Sequence, residues 1–459
     1  MGTTQPGVSA RRSCGDPAPR TVLIVVSENE QPGPAAFDEV RRALAAVDRD
    51  TRTRLLATLA RRFGDLDLAE DALQEALAQA VSTWPATGVP QIPEAWLTIT
   101  ATRKALDVIR RENTLAQKLA QLHIETDRAP LASSYADPAE TLSDGTTIPD
   151  DRLAMIFACA HPVLRAEDRV ALMLRFVAGL SVDEVAHALL VPKTTMQQRI
   201  VRAKKRVATL GVPFGVPPPD AVPERLAGAL RVVYLLYSEG FSRSTGSTHI
   251  RDDLTEEAIR LARLLHRLLP GRAEVTGLLA LLVLTEARRR ARVDDAGAPI
   301  PLADQDRSLW DAALIAEGTL LAEAAAAAPD AAGYAIQAAI AAVHAEAGTF
   351  DATDWAQIAV LYRLLEAHDD GPVVRLGRAV AVGRAYGPAK GLRLLEGLSG
   401  DAALSRYRPY HVALALTRTE LGDARRAADD YRRALALPGN AAEDAFLADS
   451  LPHDDLCPE

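Results

Sequence analysis

Residues 193–206 carry Lys193, Arg199, Arg202, Lys204, Lys205 and Arg206 without one carboxylate, and Thr194, Gln197 and Gln198 stand near the start of the same stretch. Amides and guanidinium groups can read base edges in a major groove, and lysines farther along can hold phosphates. A second set is acidic. Asp67, Asp71 and Glu75 recur every four residues, with Gln74 beside them, as one stripe of a helix. Such a stripe repels phosphate, so it is either solvated, which is the simpler reading of the stripe alone, or faces a basic protein partner. A third set combines Trp84 and Trp96 with Arg103, Lys104, Arg110 and Arg111. Aromatic platforms and cations suit unstacked single-stranded nucleic acid, although for Trp96 a place in the core is the preferred reading.

These residues need elements to hold them. Ser181-Val-Asp-Glu184 reads as a capping box opening a helix over Val182–Leu190, with Val185, Ala186, Leu189 and Leu190 on one face. Val191-Pro192-Lys193 is a short turn, and a second helix follows with Met196, Ile200, Ala203, Val207 and Leu210 as its buried stripe. Two short helices, a tight turn and a basic second helix describe a helix-turn-helix. The rival is an ordinary helix hairpin with a solvated basic face. In the acidic block, Leu66, Ala69, Leu73, Ala76, Leu77 and Ala80 form the apolar face. The run Trp84–Pro93 is proline-rich enough to predict a loop, and Ala95–Asn113 predicts a helix.

The whole chain has 459 residues, 48% hydrophobic and only 5% aromatic. Alanine, leucine and arginine dominate, which favours helices over sheets. The net charge of −9 argues at first against a nucleic-acid binder, but residues 1–210 hold 26 basic and 26 acidic groups while residues 211–459 hold 26 and 35. All the excess negative charge lies in the second part. Cys14, Cys159 and Cys457 form no paired motif, so neither a disulfide framework nor a cysteine zinc site is expected. The short pair Cys159 and His161 reads as core or helix end. No apolar run approaches the ~20 residues of a membrane helix, and Val22–Val26 is too short for a signal-peptide core. A cytoplasmic protein without a membrane partner is expected. The punctuation predicts a disordered leader over 1–36, a helical domain over 37–113, a linker over 114–149 and the helix-turn-helix domain over 150–210. After a Pro/Gly cluster comes a helical region over 217–451.

Taken together, the motifs resemble regions 2 and 4 of bacterial sigma factors of the extracytoplasmic-function class, in the sigma-70 superfamily. The resemblance rests on Asp67-x-Ala-Glu-Asp-Ala-x-Gln-Glu75, on Trp96-Leu97 with Ala105-Leu-Asp-x-x-Arg-Arg111, and on Ala166-Glu-Asp-Arg169 leading into Thr195-Met-Gln-Gln-Arg199-x-x-x-Ala203-Lys204. It covers residues 38–113 and 151–210. It implies core RNA polymerase as partner, through its β′ clamp helices and β flap, with Asp67, Asp71, Gln74 and Glu75 as the docking surface. It places Trp84, Arg103, Lys104, Arg110 and Arg111 at the −10 element of promoter DNA. Lys193, Thr194, Gln197, Gln198, Arg199, Arg202, Lys205 and Arg206 would serve the −35 element. The chain departs from the family pattern at Thr102-Arg103, where Arg-Asn is more usual.

Minimal members stop near residue 210. Here Gly387 and Gly422 lie 35 apart, and Leu414, Gly422, Ala427, Tyr431, Ala434 and Pro438 follow tetratricopeptide spacing. The expectation is an all-α chain ending in a tetratricopeptide-like α-solenoid, as in one sigma subgroup. That subgroup implies a regulatory extension open to a protein or ligand. An enzyme is not expected: Asp304, Asp306, Arg307 and Trp310, and His344 with Glu346, are more cheaply read as buried salt bridges at turns. No cofactor or metal is expected. The rival function is a helix-turn-helix regulator with a repeat-type sensor and no sigma activity. A further expectation from the charge partition is that the acidic extension lies against the basic reading helix.

Overall fold

In a computed structural model of the chain, the residues described are 34–122, 151–189, 191–215, 217–242 and 250–451. The expected leader and most of the expected linker therefore lie outside them. Four helices come first: α1 (Pro34–Ala46), α2 (Arg49–Phe63), α3 (Leu66–Thr87) and α4 (Pro93–Leu122). Asp48 and Asp65 start α2 and α3 by accepting the amides of Thr51 and of Asp67 and Leu68, which satisfies donors that a helix start leaves open. Leu59, Ala69, Ala76, Ala80, Leu97, Ala101 and Ala105 close the core between them, all buried. Small residues along α3 and α4 let the two helices pack closely. Helix α4 runs nine residues past Asn113, so the linker begins later than the sequence suggested.

The second block comprises α5 (Asp151–Cys159), α6 (Ala166–Leu172) continued by a π-helical turn at Met173–Val177, α7 (Val182–Ala188) and α8 (Lys193–Thr209). Then follow α9 (Val222–Phe241), α10 (Asp252–Leu268), α11 (Ala273–Glu286), α12 (Ala312–Ala327) and α13 (Gly333–Glu346). Helices α11 and α13 cross closely: a Cβ at Gly277 would sit 2.6 Å from the amide nitrogen of Ala335, so only glycine fits there. The chain ends in α14 (Trp355–Leu365), α15 (Pro372–Tyr386), α16 (Pro388–Gly397), α17 (Arg408–Glu420), α18 (Ala424–Leu435) and α19 (Ala441–Asp449), each packed on the next. Gly387 and Gly422, the two repeat markers, both take positive φ at the turn between paired helices, and Leu414, Ala427, Tyr431 and Ala434 are buried. Among the described residues there is no strand, only one isolated bridge between Val293 and Pro299. The all-α expectation holds.

The blocks share their interior. One continuous apolar cluster runs from Val40 through Met155, Phe176 and Leu230 to Val283. Helix α5 packs on α2, and α9 packs on both α5 and α6. Polar ties follow the same seam: Asp50 of α2 accepts from Arg152 of α5 at 2.5 Å and from Arg260 of α10 at 3.3 Å. Arg61 reaches Asp151 at 2.6 Å.

Candidate nucleic-acid interface

The helix-turn-helix is built as its sequence dictates. The Ser181 amide donates to the Glu184 carboxylate at 2.6 Å, and the Ser181 hydroxyl accepts the Glu184 amide at 3.2 Å, so the capping box is closed. These bonds hold the Glu184 carboxyl below its usual range, the backbone one most. Helix α7 stops at Ala188, two residues earlier than expected, and the Val191 amide returns to the Ala186 carbonyl to make the turn. In α8, Met196, Ile200, Ala203 and Val207 are buried. Leu210 is a correction: it lies past the helix end and is 53% exposed, while Val212 and Phe214 fill the place expected for it.

Away from that stripe, Lys193, Thr194, Gln197, Gln198, Arg202, Lys205 and Arg206 are exposed and Arg199 is half-buried. Arg199, Arg202, Lys205 and Arg206 line a cleft of about 590 Å³ with Arg165, and Glu167 and Asp168 stand at its α6 side, so cations outnumber carboxylates there. A concave basic surface beside exposed amides is what groove binding needs. Among the described residues the acidic extension does not cover it, contrary to the charge-based expectation: α8 packs on α6 and α7, and α9 packs instead on α5 and α6.

Lys204 points elsewhere. It pairs with Asp67 and, at 3.7 Å, with Glu70. Arg175 on the π turn also pairs with Glu70. Glu70 and Arg175 were missed from the sequence, because nothing local marks residues 105 apart as partners. Of the proposed acidic stripe, Asp67, Asp71, Gln74 and Glu75 are all exposed on α3. Glu75 meets Lys104 of α4 at 3.5 Å, and Asp71 makes no ion pair among the described residues. Lys104 is thus drawn toward α3. Arg103, Arg110 and Arg111 remain exposed on α4, and Arg103 and Arg110, seven residues apart, share a face.

Trp84 is the second correction. Helix α3 runs through Pro85 to Thr87 and ends only at Gly88, whose φ of 83° ordinary residues avoid, and α4 already begins at Pro93, so the expected loop is shorter by five residues. Trp84 is 1% exposed and packs edge-on against Trp96 with centroids 5.3 Å apart. In this arrangement it is core, not a base platform. The expected turn salt bridges are also revised. Asp306 accepts the Ser308 amide, and Arg307 donates to the carbonyls of His344 and Ala347, both at 2.7 Å. Cys159 is buried, which pushes its thiol up to about 12, and His161 Nδ1 accepts the Val163 amide at the helix end. No group of three metal-ligating side chains occurs among the described residues. Among those residues no helix is long and apolar enough to cross a membrane.

Comparison with known proteins follows the same divisions. Residues 49–114 match the family described as Sigma-70 region 2, and residues 154–207 match Sigma-70, region 4. Residues 225–326 match a family of unknown function, DUF6596. The chain is 42% identical over 404 residues to "Uncharacterized protein R00370" of Rhizobium meliloti (strain 1021), covering 88% of this chain and 93% of that one. It is 26% identical over 176 residues to "Probable ECF RNA polymerase sigma factor SigI" of Mycobacterium tuberculosis, covering 38% of this chain and 58% of that one. No solved structure matches the chain significantly. The chain therefore belongs to one family with that Rhizobium protein, and it carries a Sigma-70 region 2 match on α2–α4 followed by a Sigma-70 region 4 match on α5–α8.

Proposed function

We propose that this protein is a sigma-70 family initiation factor of the extracytoplasmic-function type that docks on core RNA polymerase through the acidic face of α3. It reads the −35 element with α8, engages the −10 region with α4, and is regulated by its fused tetratricopeptide-like extension. The observation that carries the reading is the coexistence, in one chain, of a phosphate-repelling acidic helix and a basic helix-turn-helix whose reading face is open. A regulator acting on duplex DNA alone would have no use for the acidic face. The work is done by binding. Gln197, Gln198 and Arg199 would read base edges, and Arg202, Lys205 and Arg206 would hold phosphates.

In the free protein the docking helix is partly engaged, because Lys204 of α8 holds Asp67. Polymerase binding would exchange that contact for basic groups of the clamp and release α8 from α3. The −10 contact is assigned to Arg103, Arg110 and Arg111, and Trp84 would join only if α3 and α4 separate. The test is permanganate footprinting of a promoter from the same genome with core polymerase. Reactive thymines near −10 that need both core and this protein support the reading. Protection of duplex DNA by the protein alone, with no melting when core is added, favours the rival regulator.

A further inference from the structure

The extension contains an arrangement that neither initiation nor packing accounts for. A cleft of about 660 Å³ opens where the C-terminal end of α9, the middle of α11 and the start of α17 meet. That size falls within the roughly 300–1,000 Å³ of small-molecule sites. Its walls are mostly aromatic and apolar, with Tyr234, Tyr237, Phe241, Leu282 and Tyr407, and Arg406, Arg408 and Glu443 line its α17 end. Leu281, Thr285 and Gln337 also line an adjoining recess of about 180 Å³ between α11 and α13, and Arg288 and His344 line it one turn farther along.

Arg288 is the unexplained group. Its guanidinium lies 5.6 Å from the centre of the Trp310 ring and makes no ion pair or side-chain hydrogen bond among the described residues. Among the described residues no carboxylate lines the recess. Neighbouring Glu286 is taken, receiving the Tyr237 hydroxyl at 3.1 Å and Arg289 at 3.3 Å. Arg307 also lies over the Trp310 ring, 4.3 Å from its centroid, so that two cations crowd one ring. Three buried polar atoms without a hydrogen-bond partner gather around them: His344 Nδ1, Arg307 Nη2 and Trp310 Nε1. Burial and the neighbouring arginines press His344 down to about 4, so it is neutral at physiological pH. Both arginines are half-buried; withdrawing cations from water without counter-charge is costly, and unpaired buried polar atoms add to the cost. This occurs in the part of the chain with an excess of acidic residues, where counter-charges are plentiful.

We propose that the cleft and recess bind a small organic carboxylate with an aromatic or apolar body, its carboxylate seated on Arg288 and its body against the tyrosine and leucine walls. In the recess itself Arg288 is the guanidinium on the wall, which favours a singly charged head there; Arg406 and Arg408 line the cleft at its α17 end, where Arg408 is paired with Glu443 and Asp444. The rigid helix α9 links this site to region 4. Its C-terminal end forms one wall of the cleft, while Gly228 in its first half packs against the carbonyl of Ala160, just beyond α5. Occupancy and the helix-turn-helix are thereby coupled through one element. The inference goes beyond the initiation reading and stands whether or not the protein acts as a sigma factor.

The test uses the full chain with benzoate, phenylacetate and 4-phenylbutyrate, each beside its amide, and with inorganic phosphate, at fixed ionic strength. Calorimetry should give one site for at least one carboxylate, with its amide at least about tenfold weaker and a matching rise in melting temperature. Arg288→Met should abolish that binding while raising the melting temperature of the free protein, because an unpaired charge is removed. Arg288→Lys should retain part of the affinity. Should Arg288→Met fail to fold, Ala341→Leu, which fills the recess from α13, should remove binding instead. The proposal is overturned if no carboxylate binds, if acid and amide bind equally, or if phosphate alone binds. It is equally overturned if Arg288→Met lowers the melting temperature and leaves carboxylate binding unchanged, which would mark Arg288 as a packing residue of Trp310.

Discussion

Reversing two charges on α3, Asp71→Lys with Glu75→Lys, should abolish polymerase binding and leave the fold intact. The structure sets both magnitudes. Asp71 is exposed and makes no ion pair among the described residues, and Glu75 loses only its 3.5 Å contact with Lys104, an exposed pair whose side chains are 59% and 37% accessible. Such pairs contribute about 0–1 kcal/mol, so the double variant should lose no more than about 1 kcal/mol of stability. The lysine at position 71 faces Asp67 one turn earlier, which offsets part of that loss. Against a basic partner, each reversal turns an attraction into a repulsion, and the two together should cost about 3 kcal/mol or more. That is roughly a hundredfold or more in Kd. Fluorescence anisotropy of labelled protein titrated with core polymerase reads the binding, and circular dichroism melting reads the fold. Binding within about threefold of the parent, with an unchanged melting curve, would refute the assignment of this face to docking.

Three more expectations concern the fold and the reading helix. Lys205→Ala should weaken DNA binding uniformly across sequences and lower the salt slope by about 1, whereas Gln197→Ala should relax base preference at one promoter position by about 1–3 kcal/mol; filter binding of promoter variants at several salt concentrations separates the two. Because its bonds to Ser181 hold the Glu184 carboxyl low, the stability it contributes is fully present above the ordinary value of 4.5 and is lost as pH falls through the depressed one. Glu184→Gln should therefore flatten the acid limb of the melting temperature, and an unchanged limb would contradict the assignment. Ending the chain after Leu210 should yield an aggregating or weakly folded product, because α9 covers α5 and α6 and the core is continuous through Val283. A monomeric product with native thermal stability would contradict that.

What the sequence revealed depended on the range of the interaction. The capping box at Ser181, the stripe from Met196 to Val207 and the exposed cations of α8 are local, set by spacings of three and four residues, and they were legible. Trp84 was misplaced because Pro85 was read as a helix breaker. Near the C-terminal end of α3 a proline is tolerated, and packing against Trp96 repays the lost bond. The pairs that tie the blocks together were invisible. Lys204 with Asp67 and Asp50 with Arg260 join residues 137 and 210 apart, and any surface charge could have been the partner. The same holds for Arg288, whose isolation becomes apparent only when its neighbours in space are known. Net charge misled for a related reason: the acidic extension was expected over α8, but apolar packing of α9 on α5 and α6 decides where it sits.

The central claim is initiation, and run-off transcription tests it most directly. Purified core polymerase, this protein and linear templates from its own genome should yield transcripts of defined length from at least one template, and none when the protein is omitted. The Asp71→Lys, Glu75→Lys double variant should yield none. Specific binding of the protein to a promoter, together with stable binding to core and no transcript from any template with or without an Arg288-directed carboxylate, would contradict the account.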